Sequence, residues 1–391
     1  MSDNNPEWVR VRIVAGPASG PTGTEGATRR FWGMTAHQRL DRAVARSFGA
    51  AAPDGTVVSA VLLRDDFIFD EMLFSALMRT PGVVLMDGAE PVAVHLPDET
   101  QIDAVEAAMV AGDATAITGD LRRVDSAGLA SSYNKTLRRR SPPYLMRVDS
   151  MPAVAIERRM FDGAYKGVTD FVTKRVWPWP AFHVTRFCAR TGISPNMVTA
   201  VSLVLVLLAM LFFWQGHFAL GLVCAWGMCF LDTVDGKLAR VTLRSTPFGN
   251  VFDHGIDLIH PPFWYWAWYH GLRVSGLDGA TGATWLALMV ILVGYVGGRL
   301  QEGLFTWLHG IEIHIWRPLD SWFREITARR NPNLFILTVA IILGAPREGF
   351  LAVAAWTIIS FVFHTIRILQ ASFAKAMGRA PASWLSEPIK S

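Results

Sequence analysis

The sequence predicts a multi-domain protein: an N-terminal cytosolic α/β domain, an interfacial amphipathic helix, and a C-terminal all-α bundle of six transmembrane helices. Three observations predict it. The chain has 391 residues, more than a typical single soluble domain holds. Apolar residues make up 51% of it and mean hydropathy is +0.28, yet the apolar runs gather beyond Met197. Up to about Val148 the composition is that of an ordinary soluble domain. Basic residues, finally, crowd into alternate links between the apolar runs. The boundaries that follow are 1–150, 151–196 and 197–391.

The first residues, "MSDNNPEWVRVRIVAG", are polar and lack the apolar core of a cleavable leader, so the first domain is expected to stay in the cytosol. Within it, "TVVSAVLLRDD" and "GVVLMDGAEPVAVHL" are β-rich runs bounded by turn residues. "DEMLFSALMRT" and "DETQIDAVEAAMVAG" have helical period and open on acidic residues. This alternation predicts a parallel-type sheet covered by helices. The stretch "YKGVTDFVTKRVWPWPAFHVTRFCARTGISPN" mixes Trp177, Trp179 and Phe182 with Lys174, Arg175, Arg186 and Arg190. That mixture suits a helix lying in the membrane surface, with a solvated linker helix as the alternative.

Six segments approach the ~20 apolar residues a bilayer requires. They lie at 197–215, 217–236, 248–271, 284–308, 333–346 and 349–372, the fifth being short. The links after the second and fourth carry Lys237, Arg240 and Arg244, then Arg317, Arg324, Arg329 and Arg330. The opposite links hold "WQGH", Arg273 and Arg347. By the positive-inside rule both termini and the aspartate-bearing link face the cytoplasm. The pI near 9.1 comes mostly from arginines beside apolar runs, which points to membrane lipid rather than nucleic acid. Cys188, Cys224 and Cys229 have no metal-binding spacing.

Four aspartates stand out because charge beside a membrane is costly. Asp232 and Asp235 are three apart at the end of the second span, and Asp253 and Asp257 four apart at the start of the third. Each pair shares one helix face, and a short link makes the two helices antiparallel neighbours. Crowded carboxylates repel one another, and a divalent cation removes that penalty. Oxygen donors select Mg²⁺, Mn²⁺ or Ca²⁺. Gly236, Ala239 and Gly249 leave room for a ligand at the backbone, and Arg240 offers a planar cation suited to phosphate. The set suits a metal-bound diphosphate. A transporter seam binding coupling ions, and a silent membrane scaffold, are the readings from other classes.

The run "DTVDGKLARVTLRSTPFGNVFDHGID" matches every fixed position of the CDP-alcohol phosphotransferase (CDP-alcohol phosphatidyltransferase) signature. "ISPNMVTAVS" resembles that family's entry to its first span. The resemblance covers Thr185 to the C-terminus and implies an integral membrane enzyme with six spans, in a bacterial host the inner membrane, and a homodimer. It implies transfer of a phosphate-linked alcohol from a CDP-linked donor to an acceptor alcohol, releasing CMP, with Mg²⁺ or Mn²⁺ as cofactor. Asp232, Asp235 and Asp253 would hold metal, with Asp257 both a ligand and the general base. Asp232, Gly236, Ala239, Arg240 and Gly249 would line the CDP site. CDP-diacylglycerol is the expected donor, in phospholipid synthesis; phosphodiester synthesis from a CDP-linked polar alcohol such as CDP-inositol is the alternative.

The acceptor is less legible. Arg299 lies roughly 13 Å along the fourth span from its cytoplasmic end. Arg299, Glu302 and Arg367 are the candidate acceptor-binding residues, suited to a phosphorylated alcohol. The alternative reading is that each arginine only pairs with a carboxylate, Arg299 with an aspartate or Glu302 for instance. The N-terminal domain resembles nucleotidyltransferase-like domains in "VSAVLLRDDFIFDEMLFSAL" and "SYNKTLRRRSPPYL". Its Gly-rich stretch "VAGPASGPTGTEGATRRFWGMTAHQRL" has Arg29 and Arg30 but no lysine. A degenerate domain with a docking role is expected, the alternative being synthesis of the CDP-alcohol itself.

Overall fold

The computed structural model describes residues 9–16, 28–47, 59–279 and 282–386. Residues 17–27 of the Gly-rich stretch lie outside the described residues. The chain divides into two compact units, Met1–Tyr165 with Arg240–Leu243, and Lys166–Ala239 with Arg244–Ser391.

The first unit is built on a five-stranded sheet. Its strands are β1 (Val9–Val14), β2 (Ser59–Arg64), β4 (Val83–Asp87), β5 (Glu90–Leu96) and β6 (Arg122–Val124), in the order β1-β2-β5-β4-β6. Between and after them run α1 (Ala36–Ser47), a short β3 (Phe67–Phe69), α2 (Glu71–Met78), α3 (Ile102–Ala111) and a short α4 (Ser126–Leu129). Asp70 caps α2 by accepting from the Met72 amide at 2.9 Å, as the acidic opening of that segment suggests. One sheet face packs Leu62, Val84 and Val94 on Val105 and Met109 of α3; the other packs Val61, Leu63, Val83 and Leu85 on Phe74 and Leu77 of α2.

The sheet is mixed, which corrects the parallel expectation. β1 pairs with β2 and β4 with β6 in parallel, but β5 runs antiparallel to both β2 and β4. The reason is the Gly88-Ala89 turn: Gly88 has φ +61°, so β4 and β5 close a hairpin rather than a crossover.

Two buried polar side chains of the sheet, Arg64 and His95, are paired. Arg64, fully buried, donates to both oxygens of Asp66 at 2.9 and 2.7 Å and to Glu90 at 3.0 Å. His95, equally buried, donates from Nδ1 to the Leu77 carbonyl at 2.7 Å while its Nε2 lies 3.0 Å from Ser59 Oγ. Burial pushes the His95 imidazole below its ordinary value, against the Leu77 bond that favours the cation. The unfolded chain therefore binds the proton first. The stability tied to His95 is complete above about pH 6.5 and is lost as pH falls through the lower folded value. Hydrogen exchange of the β5 amides in the full chain should speed up between pH 7 and pH 5.5 after correction for intrinsic rates. His95→Gln should flatten that dependence; an unchanged slope in the variant would assign it elsewhere.

The second unit is helical. After α5 (Ala153–Gly163), which ends the first unit, come α6 (Pro178–Thr191), α7 (Pro195–Trp214), α8 (Phe218–Val241), α9 (Pro247–Val274) and α10 (Ala283–His309). Then follow α11 (Pro318–Ile326), α12 (Arg330–Ile342) and α13 (Pro346–Ala376). Two starts are written in the sequence as a hydroxyl cap followed by proline. Ser194 accepts from the Met197 amide ahead of α7, and Thr246 from the Gly249 amide ahead of α9.

Among the described residues, four helices are long and apolar enough to cross a membrane: α7, α8, α10 and α13. Helix α9 has 28 residues but carries aspartates, histidines and Pro261-Pro262, and α12 has 13. The unit's core joins Phe213, Phe218, Trp264, Trp268, Leu272, Leu288 and Phe350. Gly271 lets α9 close on the end of α7, since a Cβ there would sit 2.0 Å from the Phe213 carbonyl oxygen.

Candidate metal site in the helical unit

Asp232 and Asp235 stand one turn apart on α8, and Asp253 and Asp257 one turn apart near the start of α9. The Thr246 cap and Pro247 fix where α9 begins, and so which face its carboxylates share. Ligand oxygens of Asp232, Asp235 and Asp253 lie within 4.8 Å of one another. Asp235 is 3% exposed. Its Oδ2 accepts from Thr199 Oγ1 at 2.6 Å, whereas Oδ1 is buried without a hydrogen-bond partner among the described residues. A buried carboxylate oxygen left bare beside two other carboxylates is costly, and a hard cation is what would satisfy it. The residues therefore fit a divalent metal.

Asp257 stands differently. Arg330, at the start of α12, donates from one guanidinium nitrogen to Asp257 and from another to Asp232. Gly236 and Ala239 are half-buried on α8. Arg240, further along that helix, groups with the first unit and donates from Nε to the Ala164 carbonyl at 3.0 Å. Gly249 lies against α7: a Cβ there would meet Asn196 Oδ1 at 2.7 Å. That packs the "ISPN" start of α7 beside the first turn of α9.

Residues 192–318, which hold all four aspartates and helices α7 to α10, match the family model described as CDP-alcohol phosphatidyltransferase. The chain carries a CDP-alcohol phosphatidyltransferase domain. It is 28% identical over 202 residues to the archaetidylinositol phosphate synthase of Pyrococcus horikoshii, covering 51% of this chain and 94% of that protein. It is 28% identical over 172 residues to the bifunctional IPC transferase and DIPP synthase of Rubrobacter xylanophilus, 42% of this chain and 35% of that one. A third relative is cholinephosphotransferase 1 of Xenopus laevis, 29% identical over 140 residues and covering 32% of each chain. The chain thus spans about a third of two of these relatives and nearly all of the other.

Beside the aspartates the helical unit carries a second polar cluster. Tyr295 Oη on α10 donates to the carbonyl of Leu258, the residue after Asp257, at 2.8 Å. Glu302, two turns further along α10, accepts from Arg329, from His314 Nε2 at 3.2 Å and from Arg299 at 3.4 Å. Tyr295, Arg299, Glu302, Arg329 and His364 line a cavity of about 30 Å³. His364, 3% exposed, has its Nε2 buried without a hydrogen-bond partner.

Arg367, one turn past His364 on α13, is held by other partners. It donates to Asp320 through Nε at 2.6 Å and Nη2 at 2.8 Å, and its guanidinium stacks 4.3 Å from the Trp316 ring. Of the three candidate acceptor residues, then, Arg299 and Glu302 meet and Arg367 does not join them. The sequence reading missed Arg330 as a site residue because it counted only as topology-setting charge. The available signal was an arginine pair opening "RRNPNLFILTVAII" just where the short fifth apolar run needed extra length.

Proposed function

We propose that the helical unit transfers a phosphate-linked alcohol from a CDP-linked donor, CDP-diacylglycerol in the first instance, to an acceptor hydroxyl with release of CMP. The observation that carries this reading is the carboxylate triad with its bare, buried Asp235 oxygen inside the matched domain. Asp232, Asp235 and Asp253 would hold Mg²⁺ or Mn²⁺. When bound, such an ion supplies charge neutralisation for a diphosphate and for the leaving CMP.

The chain's own residues do the rest. Asp257, on the turn after Asp253, is the general base. As the acceptor oxygen bonds to the donor phosphorus bearing the alcohol, its proton passes to an Asp257 oxygen. The phosphorus–oxygen bond to CMP breaks and CMP keeps that electron pair. Gly236, Ala239 and Arg240 on α8 and Gly249 on α9 line the path of the CDP moiety. Arg299 and Glu302 receive the acceptor: a guanidinium for an anionic group, a carboxylate and the unpaired His364 nitrogen for hydroxyls. Arg367, held by Asp320, is assigned a structural part.

In this reading the unit crosses the bilayer six times, with α9 and α12 joining the four apolar helices. Helix α9 at 28 residues is about 42 Å long, and α12 requires a locally thinner bilayer. Helix α6 lies in the membrane surface, its Trp179 and Phe187 exposed. The arginine-rich links place the aspartates on the cytoplasmic side, at the inner membrane if the host is bacterial. The first unit is a docking domain rather than a second enzyme in this reading: of the two aspartates after its second strand, Asp66 is buried and consumed by Arg64, and Asp65 is taken up by the Gly16 amide and His37.

The test is CMP release by purified protein in lipid, with CDP-diacylglycerol and a panel of alcohols and phosphorylated alcohols. Release should require Mg²⁺ or Mn²⁺. Asp257→Asn should lower kcat by about 10²–10⁴-fold, the usual contribution of a general base. A second donor class has support in the relative named DIPP synthase. If only a CDP-linked polar alcohol yields CMP, the product is a phosphodiester of that alcohol. Metal binding without CMP release from either donor class would favour a transport role.

A further inference from the structure

Arg330 reaches carboxylates on two different helices, Asp232 on α8 and Asp257 on α9. The Arg330 side chain is 16% exposed and that of Asp232 20%, so this pair is largely shielded from water, whereas Asp257 at 39% keeps one side open to it. Its neighbours leave the start of α12 little freedom. Arg329 is tied to Glu302 on α10. Asn331 Nδ2 donates to Asp170 Oδ1 at 2.9 Å, and Asn333 Nδ2 donates to Tyr265 Oη at 2.7 Å. Four polar side chains at the start of α12, its cap Arg329 among them, are thus anchored to other parts of the helical unit. Asp232 therefore has two claims on it: it belongs to the triad suited to a metal, and it pairs with Arg330.

We propose that Arg330 is the internal counter-cation of the aspartate cluster. It holds Asp232 and Asp257 together in the metal-free protein, must give way as a divalent ion loads, and so sets the affinity for that ion. The inference rests on the reading that Asp232, Asp235 and Asp253 take a metal. A guanidinium suits the task because its planar fork can hold two carboxylates at once, which an ammonium cannot do in the same geometry. Without it, four carboxylates face one another with less compensation, and an incoming cation gains more by binding. The anchored flanks of α12 keep the guanidinium at the site, where it competes with the metal for the lone pairs of Asp232.

The experiment is a Mn²⁺ titration of the full-length protein in detergent, read by the loss of the free-ion paramagnetic resonance signal. Arg330→Gln should bind Mn²⁺ about tenfold more tightly than the unaltered protein, a coupling of ordinary size. Arg330→Lys, limited to one carboxylate at a time, should fall between them. In EDTA both variants should unfold at lower temperature than the unaltered protein, Arg330→Gln the more so. Should Arg330→Gln not fold, Arg330→Lys decides the direction alone. If the unaltered protein binds Mn²⁺ and Asp235→Asn does not, but affinity in the arginine variants stays level or weakens, Arg330 is no competitor and the proposal is wrong. If the unaltered protein and Asp235→Asn behave alike, the metal reading itself fails and takes the proposal with it.

Discussion

Asp235→Asn should abolish metal-dependent CMP release while making the metal-free protein more stable. The two effects have one cause. Asp235 Oδ1 is buried, lacks a partner and sits among carboxylates, so its charge is a standing cost to the empty fold. An asparagine keeps the shape and the bond from Thr199, and turns a repelled oxygen into an amide that can donate to Asp232 or Asp253. The gain should be about 1 kcal/mol, the worth of one net hydrogen bond, seen as a higher melting temperature in EDTA. The activity loss should be on the order of 10³-fold in kcat/KM, about 4 kcal/mol of transition-state stabilisation. Mn²⁺ should raise the melting temperature of the unaltered protein and leave the variant unmoved. A variant that still released CMP on metal addition would remove Asp235 from the site. One that melted lower in EDTA would mean the carboxylate is paired in the fold after all.

Much of this site can be read in the chain because its determinants are local. The carboxylate pairs are one turn apart, and Ser194-Pro195 and Thr246-Pro247 mark where their flanking helices begin. The unread part depends on long-range pairing. Arg330 meets Asp232 across 98 positions and Arg329 meets Glu302 across 27. No periodicity within α12 announces either contact. Proline in "RRNPN" also reads as a loop, although in a first turn it forfeits no intrahelical bond. In the first unit the error was of another kind. Strand–helix alternation suggested parallel pairing, but "MDGAEP" carried a stronger local signal: a two-residue link that opens on glycine between two β-rich runs is a hairpin turn.

The structure also separates two roles that an intramembrane arginine can take, and Arg367 is where the separation has the largest consequence for stability. Its side chain is 7% exposed and that of Asp320 is 2%. The carboxylate has a further duty: Asp320 Oδ2 accepts from the Arg317 amide at 2.9 Å, capping α11. Arg367→Met would leave Asp320 charged, buried and half-satisfied, and Asp320→Asn would strand the guanidinium and weaken the cap. Breaking a buried pair from one side costs about 3–5 kcal/mol. Either variant should therefore unfold well below the unaltered protein in the same detergent. Arg367→Lys should not rescue, because an ammonium cannot make the two parallel bonds or the stack on Trp316. Removing both charges together, Arg367→Met with Asp320→Leu, should recover most of the loss except the α11 cap, which gives the cycle a measurable coupling. An acceptor-binding arginine would behave otherwise. Arg367→Lys would raise KM for a phosphorylated acceptor and leave the melting temperature where it was, whereas the bidentate pair requires the fold to weaken first.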